Sequence, residues 1–190
     1  MEILEKLQSG ERLNYEDGVK LWDLDLFDLG KFAFAIRKEK NGKNVYFNAN
    51  RHINPSNLCA DTCKFCAFSA HRKNDGAYTM SDDEIMRIVD ETVARGTKEI
   101  HIVSSHNPFV TPQQYLGIFK AIKQKYPLLH IKAMTAAEID YWRRKWKMSY
   151  EETIELMMQS GVDSMPGGGA EIFDEDVRDK ICKGKVSSEQ

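Results

Sequence analysis

The stretch "NLCADTCKFCAFS", Asn57 to Ser69, places Cys59, Cys63 and Cys66 within eight positions of a 190-residue chain whose only other cysteine is Cys182. Three clustered cysteines and one distant one do not read as the disulfide framework of a small secreted domain. In a reducing compartment such spacing points to a metal. A structural zinc site closes its tetrahedron with four protein ligands in two separated pairs. One compact group of three suits a different object: three thiolates on a loop can bend around one side of a [4Fe-4S] cubane and leave its fourth iron without a protein thiolate. The zinc alternative would need Cys182 or a histidine such as His52 or His71 as its fourth ligand.

Outward from this loop, the chain alternates strands and helices. Upstream, "NVYFNANRHIN" has the aromatic and β-branched content of a short strand, from about Val45, that runs into the cysteines. Downstream, Ser81 and Glu84 form a capping box, and Ile85, Ile88, Val89 and Val93 share one helical face up to Gly96, placed for a left-handed cap. "KEIHIVSS" reads as the next strand, with His101 a packed core histidine within it. Thr111 and Pro112 then open a helix that turns Tyr115, Ile118, Phe119 and Ile122 inward. The strand "LLHIKAM" follows, then a helix from Ala136 to about Trp146. A second capping box, Ser149 with Glu152, opens a helix packing Ile154, Met157 and Met158 and ending at Gly161. "VDSM" reads as a last strand, giving four, near Val45, Ile100, His130 and Val162. Regular alternation implies parallel strands joined by right-handed crossovers, with functional groups on the loops after the strands.

The fold class expected is therefore α/β: a partial (β/α) barrel with parallel strands spanning residues 44–190, preceded by an N-terminal helical extension, residues 1–43. In that extension Asn14 caps with Asp17 at the third helical position, and Leu21, Trp22, Leu24 and Leu29 supply apolar contacts before Gly30. A second helix covers roughly Lys31 to Lys40. Four parallel strands make half of a closed barrel and leave a bare edge, and the tail "CKGKVSSEQ" has no capping logic. The chain is accordingly expected to be a truncated part of a longer protein and inactive by itself. A natural short chain covered by a partner is the alternative.

Composition narrows the classes of function. Hydrophobic residues make up 42% and charged residues 29%, with a net charge of -2 and a pI near 6.2, so no global field attracts nucleic acid or an anionic membrane surface. "YWRRKWK", Tyr141 to Lys147, mixes aromatics and bases, but Arg143, Arg144 and Lys147 fall near one helical face, as on a solvated surface. Met157, Met158 and Met165 read as core fillers. The N-terminus "MEILEKLQSG" has neither a basic flank nor a long apolar run, which suits a cytoplasmic protein without membrane insertion, acting on a small-molecule substrate.

A C-x3-C-x2-C loop after the first strand of a β/α barrel, with Phe65 before the last cysteine, resembles the radical S-adenosylmethionine superfamily. Within it, "GERLNYEDGVKL", "NRHINPSNLCADTCKFCAFS", "HIKAMTAAEI" and "DSMPGGGAEIF" together resemble the aminofutalosine synthase family of the futalosine route to menaquinone, over nearly the whole chain. The resemblance implies a [4Fe-4S] cluster on Cys59, Cys63 and Cys66 whose open iron chelates S-adenosylmethionine. It implies a transferase that adds the 5'-deoxyadenosyl radical to 3-[(1-carboxyvinyl)oxy]benzoate, giving 6-amino-6-deoxyfutalosine and consuming S-adenosylmethionine as co-substrate. An electron donor such as flavodoxin or ferredoxin is implied with it. The alternatives are a dehypoxanthine futalosine cyclase-type enzyme and a non-catalytic metal-binding module.

The remaining motifs fit around this expectation, with no catalytic side chain assigned. In "PGGGAE", Gly167, Gly168 and Gly169 let backbone N–H groups approach S-adenosylmethionine or a substrate carboxylate closely, with Glu171 beside the substrate; a tight turn without a ligand is the plain alternative. Where the superfamily presents paired glycines after its second strand, this chain has "VSSHNP", so Ser104 and Ser105 take over the methionine moiety and His106 is the nearest titratable group. Glu138, after the third strand, orients ribose hydroxyls or the adenosine end. Arg51, His52 and Asn54 stand before the cluster loop, and the bidentate geometry of Arg51 suits a substrate carboxylate, with a surface ion pair the alternative.

Overall fold

Three parallel strands, β1 (Asn50–Ile53), β2 (Glu99–Ile102) and β3 (His130–Ala133), form a sheet in the order β1-β2-β3 in the computed structural model, which describes residues 3–71, 76–169 and 171–190. His52 pairs with His101, and His101 with Lys132, so one register row crosses the whole sheet. The chain divides into two units, Met1–Phe47 and Asn48–Gln190.

In the second unit each crossover carries helix. Between β1 and β2 lies α4 (Asp82–Ala94), and between β2 and β3 lies α5 (Pro112–Lys125); α6 (Ala136–Trp146), α7 (Tyr150–Gln159) and α8 (Glu175–Ile181) follow β3. The caps explain where these helices begin. Ser81 accepts from the Glu84 N–H at 3.2 Å while the Glu84 carboxylate accepts from the Ser81 N–H at 2.7 Å, satisfying donors a helix start leaves orphaned. Thr135 and Glu138 build the same box at α6, whereas at α7 Ser149 accepts from the Glu152 N–H at 3.0 Å without a return bond from the Glu152 carboxylate, so the box expected there is only a cap. Gly96 and Gly161, at φ 82 and 94, take the left-handed positions after α4 and α7.

The helix side of the sheet is the core. Ile53, Ile100, Ile102, Ile131 and Ala133 alternate onto that side and are buried with Ile85, Val89, Ile118, Phe119 and Ile122 from α4 and α5. Each such isoleucine or phenylalanine contributes about 1.5–3 kcal/mol relative to leaving it exposed. Behind α6, the Asp140 carboxylate, fully buried, accepts from Arg143, Arg144 and the Tyr150 hydroxyl, so α6 and α7 are joined by a satisfied polar contact.

The first unit holds α1 (Ile3–Ser9), α2 (Tyr15–Lys20), a 3-10 turn at Leu21–Asp23 and α3 (Leu26–Asn41). Asn14 caps α2 as expected, Asp17 closes the cap into a box, and Lys6 Nζ lies 2.7 Å from Asp17.

Four other expectations change. The fourth strand is a single parallel bridge, Lys132 to Ser164, so three strands and not four make the sheet. The first strand begins at Asn50, because pairing with β2 places it there, and Val45, Tyr46 and Phe47 lie outside it and are exposed. Gly30 ends nothing: Asp25 caps α3 by accepting from the Phe27 and Asp28 N–H groups, and the helix runs through the glycine, which costs about 1 kcal/mol relative to alanine. Of the methionines read as core fillers, Met157 is buried, but Met158 is 67% and Met165 45% exposed.

Candidate functional site

At the carboxyl ends of the strands the loops enclose a cavity of about 360 Å³. Cys59, Asp61, Cys63, Phe65 and Cys66 come from the loop after β1, Ser104 to His106 from the loop after β2, and Thr135, Ala137 and Glu138 from the start of α6. Gly168, Gly169, Glu171 and Lys185 line it from the C-terminal part of the chain. Five separate stretches of sequence thus converge where a parallel α/β fold builds its sites.

The cysteine loop is held by its neighbours. Cys59 N–H donates to the Ala70 carbonyl at 3.1 Å, Ala60 N–H to the His106 carbonyl at 3.0 Å, and Lys64 N–H to the Ile181 carbonyl at 2.7 Å. From the other side, Ser105 Oγ donates to the Leu58 carbonyl at 2.5 Å and Ser105 N–H to the Ser56 carbonyl at 3.3 Å. Asn107 donates to Ser56 Oγ at 2.8 Å. "VSSHNP" therefore stitches the loop after β2 to the loop after β1, and the Ser104 and Ser105 hydroxyls are already bonded to protein: Ser104 Oγ accepts from the Tyr115 hydroxyl at 2.9 Å.

Glu138 is the second fastening. Its Oε1 accepts from the Ser104 N–H at 2.8 Å, and its Oε2 accepts from the Thr135 N–H at 2.7 Å and the Thr135 hydroxyl at 2.9 Å. One carboxyl group, only 4% exposed, joins the ends of β2 and β3. Burial pushes that carboxyl up, and the bonds from Thr135 and Ser104 oppose the push.

All three clustered thiols line the cavity, whereas Cys182 is buried outside its lining. Burial pushes Cys63 up to about 11 against the lowering influence of Lys185, and burial likewise raises Cys59, although the Asp61 and His106 N–H groups point at its sulfur. Cys59 and Cys63 therefore favour the protonated thiol, and a cation that binds them displaces those protons, which couples metal binding to proton release. Among the described residues no group of three or more His, Cys, Asp or Glu side chains is gathered so as to grip a single ion. A cubane does not ask for that, since it takes each thiolate on a different iron, and three cysteines on one cavity wall with N–H donors aimed at a sulfur fit it.

Several contributors escaped the sequence reading. Asp61, 9% exposed, sits 2.7 Å from His106 Nδ1, a close contact whose angle does not make a hydrogen bond, and the His106 ring stacks on Tyr141 at 4.6 Å. Lys185 lies 2.5 Å from Glu171 and 5.6 Å from the centre of the Phe65 ring, linking the segment after the glycine loop to the cysteine loop. Arg178, buried, donates to the carbonyls of Gly169 and Ile172 and so fixes the glycine loop. The acidic residue set between two metal-spaced cysteines was the one signal the sequence offered for Asp61.

Of the expected glycines, Gly168 and Gly169 line the cavity and Gly167 does not; Ala170 lies outside the described residues. All three have φ between 75 and 101, and a Cβ on Gly169 would come 2.9 Å from the Ala137 side chain, so glycine is required there by conformation and by space. Arg51, His52 and Asn54 are not brought to the cavity. Arg51 borders a separate hollow with Asn50, Glu91 and Arg95; His52 stacks on His101; and Asn54 donates to the Val103 carbonyl at 2.8 Å. Side chains alternate along β1, which sends Arg51 to one face and His52 to the other.

Comparison with known proteins agrees with this geometry. The Radical SAM superfamily model matches residues 53–190. The chain is 38% identical over 188 residues to an aminodeoxyfutalosine synthase of Thermus thermophilus, covering 98% of this chain and 50% of that protein. It is 36% identical over 181 residues to an aminodeoxyfutalosine synthase of Streptomyces coelicolor, covering 95% and 47%. The chain spans about half the length of these curated relatives. Among solved structures, methylornithine synthase superposes with a TM-score of 0.59 at 18% identity, over 92% of this chain and 61% of that one, which shows a shared fold. Members of the matched superfamily use a [4Fe-4S] cluster and S-adenosylmethionine. A parallel α/β sheet, three cavity-lining cysteines in C-x3-C-x2-C spacing and the family match over 53–190 place this chain in the radical SAM superfamily.

Proposed function

We propose that the chain carries the cluster-binding part of an aminofutalosine synthase, which joins the adenosyl group of S-adenosylmethionine to 3-[(1-carboxyvinyl)oxy]benzoate in menaquinone biosynthesis. The observation that carries the reading is the convergence of Cys59, Cys63 and Cys66 with the glycine loop on one cavity. It is joined by the identity to two aminodeoxyfutalosine synthases along almost the whole chain.

When bound, the cluster and S-adenosylmethionine supply a 5'-deoxyadenosyl radical. This chain's residues do the rest by placement. Cys59, Cys63 and Cys66 hold the cluster. Gly168 and Gly169 offer close backbone approach for S-adenosylmethionine, with Gly167 supplying the turn. Ser104 and Ser105 would border the methionine end and Phe65 the cluster. Glu138, with both oxygens occupied, would act by fixing the loop ends that border the adenosine. Glu171, held by Lys185, faces the substrate side.

An electron donor such as flavodoxin or ferredoxin would feed the cluster. Among the described residues no helix is long and apolar enough to cross a membrane. The reduced, metal-spaced thiols favour the cytoplasm. The division into a helical part, residues 1–43, and a barrel part, residues 44–190, remains our reading of the domain plan.

The test is to express the complete reading frame, reconstitute it with iron and sulfide without oxygen, and add reductant, S-adenosylmethionine and the enolpyruvyl benzoate. Mass spectrometry follows the adenosyl group. Its appearance in a product with the mass of aminofutalosine supports the assignment. Its appearance only as free 5'-deoxyadenosine contradicts it and favours a cyclase that abstracts hydrogen.

A further inference from the structure

At the amino ends of the strands, away from the cysteine loop, the start of β1 and the end of α4 border a hollow of about 300 Å³. Two guanidinium groups line it, Arg51 from β1 and Arg95 from the cap of α4. Both residues are exposed, and no carboxylate among the described residues pairs with either. Two cations that share a hollow repel each other, and an anion between them turns that repulsion into attraction.

A third donor is better buried. Thr92 is 6% exposed and lines the same hollow, yet its hydroxyl has no hydrogen-bond partner among the described residues, not even the carbonyl one turn back that a helical threonine often takes. Its oxygen is not sealed off by protein, so it opens on the hollow. A hydroxyl so placed calls for a partner in that space. Thr97 adds a second hydroxyl, and the Asn50 amide, with one N–H turned to Glu99 Oε1 at 3.4 Å, keeps another.

Two features that oppose an anion are answered by the chain itself. Glu91 also lines the hollow, but its carboxylate accepts from Arg87 at 2.6 Å. The negative end of α4 lies here as well, but the carbonyls of Thr92 and Val93 are met by the N–H groups of Arg95, Gly96 and Thr97.

We propose that this hollow binds a phosphate monoester, with Arg51 and Arg95 holding phosphoryl oxygens and the Thr92 hydroxyl donating to the same group. The ligand chemistry follows from the donors. Guanidinium forks match the paired oxygens of a phosphate, and donors from three residues suit its three terminal oxygens better than the two of a carboxylate. The hollow is larger than a bare phosphate, which leaves room for the organic part of the ester. It shares no lining residue with the cysteine cavity, so the inference goes beyond the functional reading above and stands apart from it.

The 190-residue chain can be titrated with phenyl phosphate while its amide and arginine side-chain resonances are followed by NMR. Saturable shifts at Arg51, Thr92, Arg95 and Thr97 are expected, with benzoate, a carboxylate on the same ring, about tenfold weaker. Arg51→Gln and Arg95→Gln should each weaken phenyl phosphate about tenfold or more, as the loss of a charge-assisted hydrogen bond does. Lys98→Gln removes the same charge from an exposed side chain outside the lining and should change the affinity by less than about twofold. No saturable shift, shifts scattered over the surface, equal affinity for benzoate, or an equal loss in Lys98→Gln and the arginine variants overturns the proposal. Wild type alone gives the location of the shifts and the comparison with benzoate, so a variant that fails to fold does not rescue it.

Discussion

The Ser105 hydroxyl donates to the Leu58 carbonyl at 2.5 Å, one residue before Cys59. With the Ala60–His106 and Ser105–Ser56 backbone bonds, it makes the loop after β2 a clasp on the cysteine loop. Ser105→Ala leaves the Leu58 carbonyl short of a donor, a loss of about 1–2 kcal/mol. Urea unfolding should show that loss, and amide exchange should show Ala60 opening sooner while Ile100 and Ile131 in the core keep their protection. Uniform exchange changes across the sheet would contradict a local clasp.

Glu138 joins two strand ends through three accepted hydrogen bonds. Glu138→Gln places an amide NH2 opposite an N–H donor whichever way it turns. We expect about 2–3 kcal/mol of destabilisation, since charge-assisted bonds are lost and a buried donor is left facing a donor. Thermal unfolding of the variant beside wild type measures it.

At Asp140 burial alone would raise the carboxyl, but bonds from Arg144, Tyr150 and Arg143 outweigh it and hold the group below the ordinary carboxylate range. A depressed folded-state value means stability that is present above the unfolded value, about 3.9, and is lost as pH falls through the folded value. Asp140→Asn should therefore destabilise the protein at pH 7, and its deficit relative to wild type should shrink as pH falls from about 4 toward 2. A deficit that stays constant across that range would contradict the assignment.

The glycine loop separates two causes. A Cβ on Gly169 would meet the Ala137 side chain at 2.9 Å, whereas one on Gly167 meets nothing within 4 Å, though both backbones are left-handed. Gly169→Ala should weaken S-adenosylmethionine binding about tenfold or more, since the loop must move, while Gly167→Ala carries only the conformational cost of roughly 1 kcal/mol. Calorimetric titration of the cluster-loaded protein distinguishes them.

What the sequence made legible was local. The boxes at Ser81 and Asn14, the cap at Ser149 and the left-handed glycines at 96 and 161 are decided within four residues, and the structure has each of them. The cysteine spacing was legible for the same reason. The true start of β1 was not, because Val45, Tyr46 and Phe47 carry the β propensity while pairing with β2 decides the strand. Nor was the reduction of "VDSM" to one bridge, since a strand edge needs a partner and not only a pattern. Asp61, Tyr141, Arg178 and Lys185 reach the site or its walls through contacts between distant segments, and no local period encodes those.

The central proposal is that three thiolates hold a cluster with one open iron. The most direct measurement is iron content and electron paramagnetic resonance of the anaerobically reconstituted, reduced protein, with and without S-adenosylmethionine. The account predicts about four irons per chain, a cluster signal that changes when S-adenosylmethionine is added, loss of the cluster in Cys59→Ala, Cys63→Ala and Cys66→Ala, and retention in Cys182→Ala. One zinc per chain, or a cluster signal indifferent to S-adenosylmethionine, would contradict it.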